Sequence, residues 1–300
     1  MAASVKSQLD RSALLLGVGY TARALVGPLK SAGYKVAGTT RSAEKARLLG
    51  GKLGIPIHPF SGQISDPLRR AMQSANIVIS SIGPSDEGDD PVISSLPIPS
   101  TDMFPNAEWA GYLSATSVYG DRGGRWVFED EKLYPATRRG RNRIEAELAW
   151  MESGLPVHIF RLAGIYGPDL FGQSRNAFAR IKAGKARAVV KSGHVVNRIH
   201  VADIASAVMA SIDRPNPMRV YNIADGHPAP PQDVLDYAAD LIGAPRAPRV
   251  DHDDAKLSDM ARSFYRETKR VDSGRARTEL EWAPKYQTYK EGLRHIHENG

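Results

Sequence analysis

From Ser12 onward the chain alternates short apolar runs with amphipathic stretches, and this alternation restricts the fold more than any other feature. The runs are ALLLG (13–17), KVAGTT (35–40), IPIHPF (55–60) and NIVISSI (76–82); between them lie TARALVGPLKSAG (21–33), SAEKARLLGG (42–51) and PLRRAMQSA (67–75). The first set reads as strands and the second as helices. The pattern continues with a strand at AGYLSATS (110–117), a helix after RRGRNR (138–143) and a strand at PVHIFRLAG (156–164). Strands separated by helices need right-handed crossovers, so the expected class is α/β, a Rossmann-type doubly wound parallel sheet covered on both faces.

Two stretches break the alternation. The 26 residues from Pro84 to Trp109, rich in Pro, Asp and Ser, join two strands that should be neighbours; a connection of this kind can lie over a ligand, and the sequence leaves its role open. After Gly167 the chain wanders to Val190, returns to strand and helix at NRIHVADIASAVMASI (197–212) and VYNIAD (220–225), and ends in helices near 231–243, 273–281 and 288–298. The expected division is a main domain of 12–166 with 195–225, and a smaller C-terminal substrate lobe of 167–194 with 226–300. No period of 20 to 50 residues repeats.

Gly17-Val18-Gly19-Tyr20-Thr21-Ala22 follows the first strand and opens the first helix. In that context Gly17 permits a tight turn, Gly19 lets the backbone approach a pyrophosphate, and Ala22 lets the helix pack close to the strand. The bland alternative is a glycine-rich turn with no ligand. Arg41 stands 22 positions beyond Gly19, flanked by Thr39, Thr40 and Ser42, where a binder of NAD would place an acidic residue. A guanidinium with neighbouring hydroxyls suits a 2′-phosphate, so NADP(H) is favoured over NAD(H); the alternative is a solvated arginine ending a strand.

Composition narrows the partners. With 40 Lys and Arg against 33 Asp and Glu the net charge is +7, which favours anionic ligands. Basic residues are not interleaved with aromatics, so nucleic acid is a minor reading, and a small anionic substrate is preferred. Zero cysteines exclude disulfides, thiolate zinc sites and a cysteine nucleophile. The histidines form no HEXXH-like pattern, so no metal is expected. No run approaches the roughly 20 apolar residues needed to span a bilayer, and MAASVKSQLDRS is unlike a secretory leader, so no membrane association and a cytoplasmic location are expected. A homodimer is compatible with all of this.

With the loop, Arg41, SSIGPS (80–85), YLSATSVYGDRGG (112–124), FRLAGIYGP (160–168), NRIHVADIA (197–205) and the ending ARTELEWAPKYQTYKEGL, the sequence resembles the extended and atypical short-chain dehydrogenase/reductases, the NAD(P)-dependent epimerase/dehydratase superfamily. The likeness runs from residue 12 to 293. It implies nicotinamide beside Ser81, Ile82 and Gly83 and beside Leu162 and Ala163, and an oxidoreductase or epimerase acting on a small anionic or sugar-derived substrate. Ser114, Gly164, Tyr166 and Arg198 fall at substrate-contacting places.

The catalytic tetrad of the family is altered. Its Ser or Thr falls on Ala115, between Ser114 and Thr116; its tyrosine falls on Arg139 and its lysine on Arg143. Arginine stays charged and cannot replace a phenol as general base, though it can polarise a carbonyl or hold a phosphate. Arg143 can still reach the nicotinamide ribose. Thr116, Tyr119, Arg139 and Arg143 are therefore the catalytic candidates of a non-standard site. For Tyr119 and Tyr166 the competing reading is a packed tyrosine, and for Arg141 and Arg143 an i,i+4 pairing with Glu145 and Glu147 on a solvated helix face. His200 and Asp203 read as structural, the aspartate capping the next helix. A catalytically silent NADP(H)-binding sensor or regulatory protein is the alternative function.

Overall fold

The computed structural model describes residues 11–299, apart from 98, 254–256, 258–261, 263 and 264. The stretch MAASVKSQLD lies outside the described residues. The alternation forms as β1 (Ser12–Leu16), α1 (Tyr20–Ser31), β2 (Lys35–Thr40), α2 (Ala43–Leu53), β3 (Ile57–Pro59), α3 (Asp66–Ser74), β4 (Ile77–Ser80) and β5 (Trp109–Ala115). Then come β6 (Trp126–Val127), α4 (Arg138–Met151), β7 (Val157–Leu162), β8 (Gly164–Tyr166), α5 (Ala177–Lys182) and β9 (Ala188–Val190). The remainder comprises β10 (Arg198–His200), α6 (Val201–Asp213), β11 (Val220–Ile223), α7 (Pro231–Leu241), β12 (Arg249–Asp251) and β13 (Arg270–Val271), with further helices at Gly274–Glu279 and Tyr289–Asn299. Among the described residues no helix is long and apolar enough to cross a membrane.

Seven strands form one parallel sheet in the order β11-β7-β5-β4-β1-β2-β3. Its chain order reverses between β1 and β4, which pair in parallel from Ala13↔Ile77 to Leu16↔Ser80. In an open α/β sheet that reversal opens a crevice at the carboxyl ends of the strands, where ligands bind. Strands buried on both faces should be almost continuously apolar, and SALLL and IVIS are. Local signals set the helix ends: Ser42 caps α2, and Gly54 closes it in the left-handed conformation at φ 61°.

By contact the chain divides into two compact units: one of residues up to Ser114 with Asn142–Phe160 and Val208–Val220, the other of Ala115–Arg141, Arg161–Ala207 and Tyr221 onward. In the first, Leu14, Leu16, Val78, Tyr112, Trp150, Val157 and Ile159 form the core. Part of the connection after Pro84 belongs to that core. Val92, Ile93, Leu96, Met103 and Phe104 are buried in it, while Asp90 accepts from the Val92 and Ile93 amides at 2.9 and 3.1 Å and from Trp150 Nε1 at 3.1 Å. The second unit centres on Tyr166, Phe178, Ala238, Tyr289, Leu293 and Ile296. It also carries three short parallel pairs, β8 with β10, β9 with β12 and β6 with β13.

Three boundaries differ from the sequence reading. PVHIFRLAG is two strands, because the Ala163 amide bonds Ile223 while that of Gly164 turns to Asn197, both at 3.0 Å. Strand β5 ends at Ala115, and Thr116–Tyr119 form a short 3-10 turn. Helix α4 begins at Arg138 and so contains RRGRNR, with Thr137 Oγ1 accepting from the Gly140 amide at 3.1 Å.

Candidate functional site

In the first unit the glycine loop is pinned from both neighbouring strands. Gly17 sits at φ 84°, and a Cβ there would come 2.6 Å from Ile82 Cγ1, so both conformation and space require glycine. Its amide donates to Thr39 Oγ1 at 2.8 Å, the Val18 amide to the Thr39 carbonyl at 2.7 Å, and the Ser81 hydroxyl to the Gly17 carbonyl at 2.5 Å. Val18 in turn needs Gly38, where a Cβ would lie 2.3 Å from Val18 Cγ2. Thr39 and Ser81 are polar residues at strand ends that fix the turn.

Beyond the turn, Gly19 caps α1 without any side-chain hydrogen bond, and the first turn holds no acidic residue. A Cβ at Gly19 would meet nothing within 4 Å, while Tyr20, Thr21 and Ala22 are buried behind it. An uncapped helix N-terminus with open space over a glycine has the donor set and the room that a pyrophosphate needs. At the end of β2, Thr39 and Thr40 are buried and Arg41 is exposed. Ser42 Oγ accepts from the Lys45 amide at 3.3 Å, so two of the three flanking hydroxyls have structural work, Thr39 in the turn and Ser42 at the helix cap.

Arg143 is the best-anchored of the clustered arginines. Its Nη1 donates to the Tyr112 hydroxyl at 2.9 Å and the Leu113 carbonyl at 3.1 Å, and the guanidinium lies over the Tyr112 ring. Nη2 approaches the main chain at Gly83, where a Cβ would stand 2.9 Å away. This cation therefore sits beside Gly83, just beyond β4, and against Tyr112 and Leu113 of β5. Asn142 donates to the Ser85 and Asp86 carbonyls at 2.9 and 3.2 Å, holding the start of the long connection. Arg138, Arg139 and Arg141 are exposed. Ser114 departs from the expected substrate role: it is buried, and its hydroxyl donates to Glu147 Oε1 at 2.5 Å.

In the second unit the replacement phenols are engaged. Tyr119 is fully buried; its hydroxyl donates to Asn222 Oδ1 at 2.7 Å and accepts from Arg161 Nη1 at 3.0 Å. Burial pushes its pKa up against the pull of Arg161, so this phenol is a core hydrogen-bonding group and not a reacting one. Tyr166 likewise packs instead of contacting substrate. Its hydroxyl points to the Thr288 carbonyl at 3.4 Å, and a Cβ at Gly292 would stand 2.1 Å from that oxygen. Thr116 stays half-buried on its turn, and Ser117 presents its carbonyl to Gly140, where a Cβ would be 2.7 Å away. Leu162 and Ala163 are buried at the end of β7, and Gly164 is exposed.

Arg198, expected at a substrate-contacting place, is half-buried, and its Nη1 is used on the Val196 and Ala229 carbonyls at 2.9 and 3.0 Å, which ties a loop. Asp203 is structural as read, but its partners are distant in sequence: the amides of Lys285 and Tyr286, at 2.7 and 3.1 Å. His200 Nδ1 accepts from the Ala202 amide at 3.2 Å, and burial lowers the pKa of that ring to about 4. Among the described residues no cluster of His, Asp or Glu could hold a metal ion.

No family model matches the chain. Its fold is that of the NAD-dependent epimerase/dehydratase superfamily, the extended short-chain dehydrogenase/reductases. UDP-glucuronic acid 4-epimerase from Bacillus cereus, solved in complex with NAD, superposes with a TM-score of 0.74 over 96% of each chain at 15% identity. A functionally unknown conserved protein from Silicibacter pomeroyi DSS is nearer, at 40% identity and a TM-score of 0.87 over 96% of this chain and 99% of that one. Protein YeeZ of Escherichia coli (strain K12) is 30% identical over 226 residues, 72% of this chain and 78% of YeeZ, and the chain belongs to the YeeZ family.

Proposed function

We propose that the chain binds a nicotinamide dinucleotide on the Gly17–Ala22 loop and acts as an oxidoreductase or epimerase on a small anionic or sugar-derived substrate. The single observation that carries the reading is the pinned loop with open space over Gly19 at an uncapped helix N-terminus. A bound cofactor supplies hydride chemistry. Gly17 shapes the turn and Gly19 leaves room for the diphosphate, which the first amides of α1 hold, and Arg41 holds a 2′-phosphate, which favours NADP(H) over NAD(H). Arg143, fixed on Tyr112 and Leu113, presents a cation beside Gly83 for the nicotinamide ribose. The B. cereus epimerase, solved with NAD, supports the choice of cofactor class.

The reaction uses no tyrosine as general acid. Arg139 replaces it, Tyr119 is held by Arg161 and Asn222, and Ser114 is held by Glu147. Thr116 is the hydroxyl beside the expected reacting position, which Ala115 occupies, with Arg139 as the cation that steadies negative charge on substrate. The same sequestered groups favour a second reading, a silent NADP(H)-binding sensor. Fluorescence titration with NADPH and NADH, followed by turnover on aldehyde, ketone and nucleotide-sugar panels, separates the two. Tight binding with turnover that falls in Thr116→Ala supports the enzyme, and binding without any turnover supports the sensor. Arg41→Asp is expected to weaken NADPH about tenfold or more and to leave NADH nearly unchanged. An unaltered preference would remove the 2′-phosphate from Arg41.

A further inference from the structure

We infer, on the dinucleotide reading of this site, that Thr39 is a specificity-determining positioning residue: its hydroxyl ties the turn that seats the diphosphate to the strand end that carries Arg41. Thr39 is 0% exposed. Valine has the same branched shape, so a hydroxyl buried here is unfavourable unless a partner needs it. The turn after β1 is that partner. Thr39 Oγ1 accepts from the Gly17 amide at 2.8 Å and the Thr39 carbonyl from the Val18 amide at 2.7 Å, so one residue holds two consecutive peptide groups.

These bonds join the two strands beyond their regular pairing, which runs only to Leu15↔Gly38. From the other neighbour, β4, the Ser81 hydroxyl donates to the Gly17 carbonyl at 2.5 Å and the Ser81 amide to the Leu16 carbonyl at 2.9 Å. Because β1 lies between β4 and β2, Gly17 is gripped from both sides. Ser81 leads on to Ile82 and Gly83, beside which Arg143 stands, and Thr39 leads on to Thr40 and Arg41. The Thr40 carbonyl accepts from the Phe60 amide at 2.8 Å. Arg41 therefore leaves a strand end secured on both edges, roughly 7 Å along the chain from Thr39 at about 3.3 Å per residue.

A 2′-phosphate and a diphosphate are borne by the same ribose, so covalent chemistry fixes the span between them. Two contacts on one ligand reinforce each other only when the protein presents them at that span. The Thr39 hydroxyl sets it, by holding the turn against the strand end from which Arg41 reaches out. Without that hydroxyl the Gly17 amide loses its acceptor and the turn is free to shift relative to Arg41. A nucleotide that needs both contacts then loses more than one that needs only the diphosphate seat. Ser81 has a different signature. It steadies the turn from the β4 side, away from Arg41, so its loss weakens NADPH and NADH alike.

Thr39→Val keeps the side-chain shape and removes the acceptor, whereas Thr39→Ser keeps the acceptor. Fluorescence titration of the full chain with NADPH and NADH, together with amide hydrogen exchange of the ligand-free protein by NMR, tests the assignment. Thr39→Val should weaken NADPH about tenfold or more and NADH about threefold or less, which lowers the preference. In the same variant exchange should quicken at Gly17 and stay slow at Leu14 and Leu15 of β1, which shows that the sheet is intact. Thr39→Ser should keep the wild-type preference, and Ser81→Ala should weaken both nucleotides by the same factor. A wild-type chain that binds neither nucleotide overturns the dinucleotide reading and this assignment with it. Binding by the wild type with an undiminished preference in Thr39→Val overturns this assignment alone. So does Gly17 exchange as slow in Thr39→Val as in the wild type, or a Ser81→Ala protein whose preference shifts as far.

Discussion

Asp225 holds a carboxylate in a place where charge is poorly tolerated. It is 1% exposed; one oxygen accepts from the His227 amide at 2.9 Å, and the other has no hydrogen-bond partner. Burial raises its pKa to about 7, against the His227 hydrogen bond and the Arg198 guanidinium, which both lower it. The folded chain therefore binds this proton more tightly than the unfolded chain, whose carboxyl has the ordinary value near 3.8. Stability from this group is present below pH ~4 and is lost as pH rises through about 7, on the order of 2–4 kcal/mol. His200 and His194, lowered by burial to about 4, slope the other way between about 4 and 6.5. Asp225→Asn isolates the aspartate: urea unfolding at several pH values should show the variant gaining on wild type as pH rises to 8. Parallel pH curves for the two proteins would contradict the assignment. In the glycine turn after β1, Gly17→Ala must accept φ 84° and the contact with Ile82, and should cost about 1–3 kcal/mol in urea titrations while reducing dinucleotide binding.

At the scale of elements, the connection after Pro84 and helix α4 hold each other through Asp90 and Trp150. Asp90→Ala removes two amide partners and leaves a buried indole N–H unpaired, so a loss of about 2–3 kcal/mol is expected in urea unfolding, with faster hydrogen exchange at Val92 and Ile93. Here the limits of sequence reasoning are visible. The strands and helices from Ser12 to Ser80 were legible because period and punctuation agreed: apolar runs, Ser42 and Gly54 at the ends of α2, glycine after β1. The core contribution of the connection was not legible because its buried side chains have no regular period; Val92, Ile93 and Leu96 reach the core from turns. In the candidate site, the glycine turn was readable from spacing, since only glycine satisfies its backbone. What Tyr119, Tyr166, Ser114 and Arg198 do was not readable, because each is settled by a partner far along the chain: Asn222, Thr288, Glu147 and Ala229. The available signal was polar residues within apolar stretches, as at Thr39, Ser81 and Glu147.

For the whole molecule, the net charge of +7 acts over distances that no single contact reaches. Raising ionic strength from low to physiological should slow NADPH association several-fold in stopped-flow fluorescence and change dissociation less. Equal slowing of both rates would place the salt effect in the bound contacts instead. One tight fit also bears on how such a chain can change over time. Glycine at 292 exists under the Tyr166 hydroxyl, with no room for even one methyl. Mutational paths through this pair have a direction: the tyrosine must shorten first, and only then can the helix acquire a side chain there, so lineages that keep the phenol are confined to one residue at the other position.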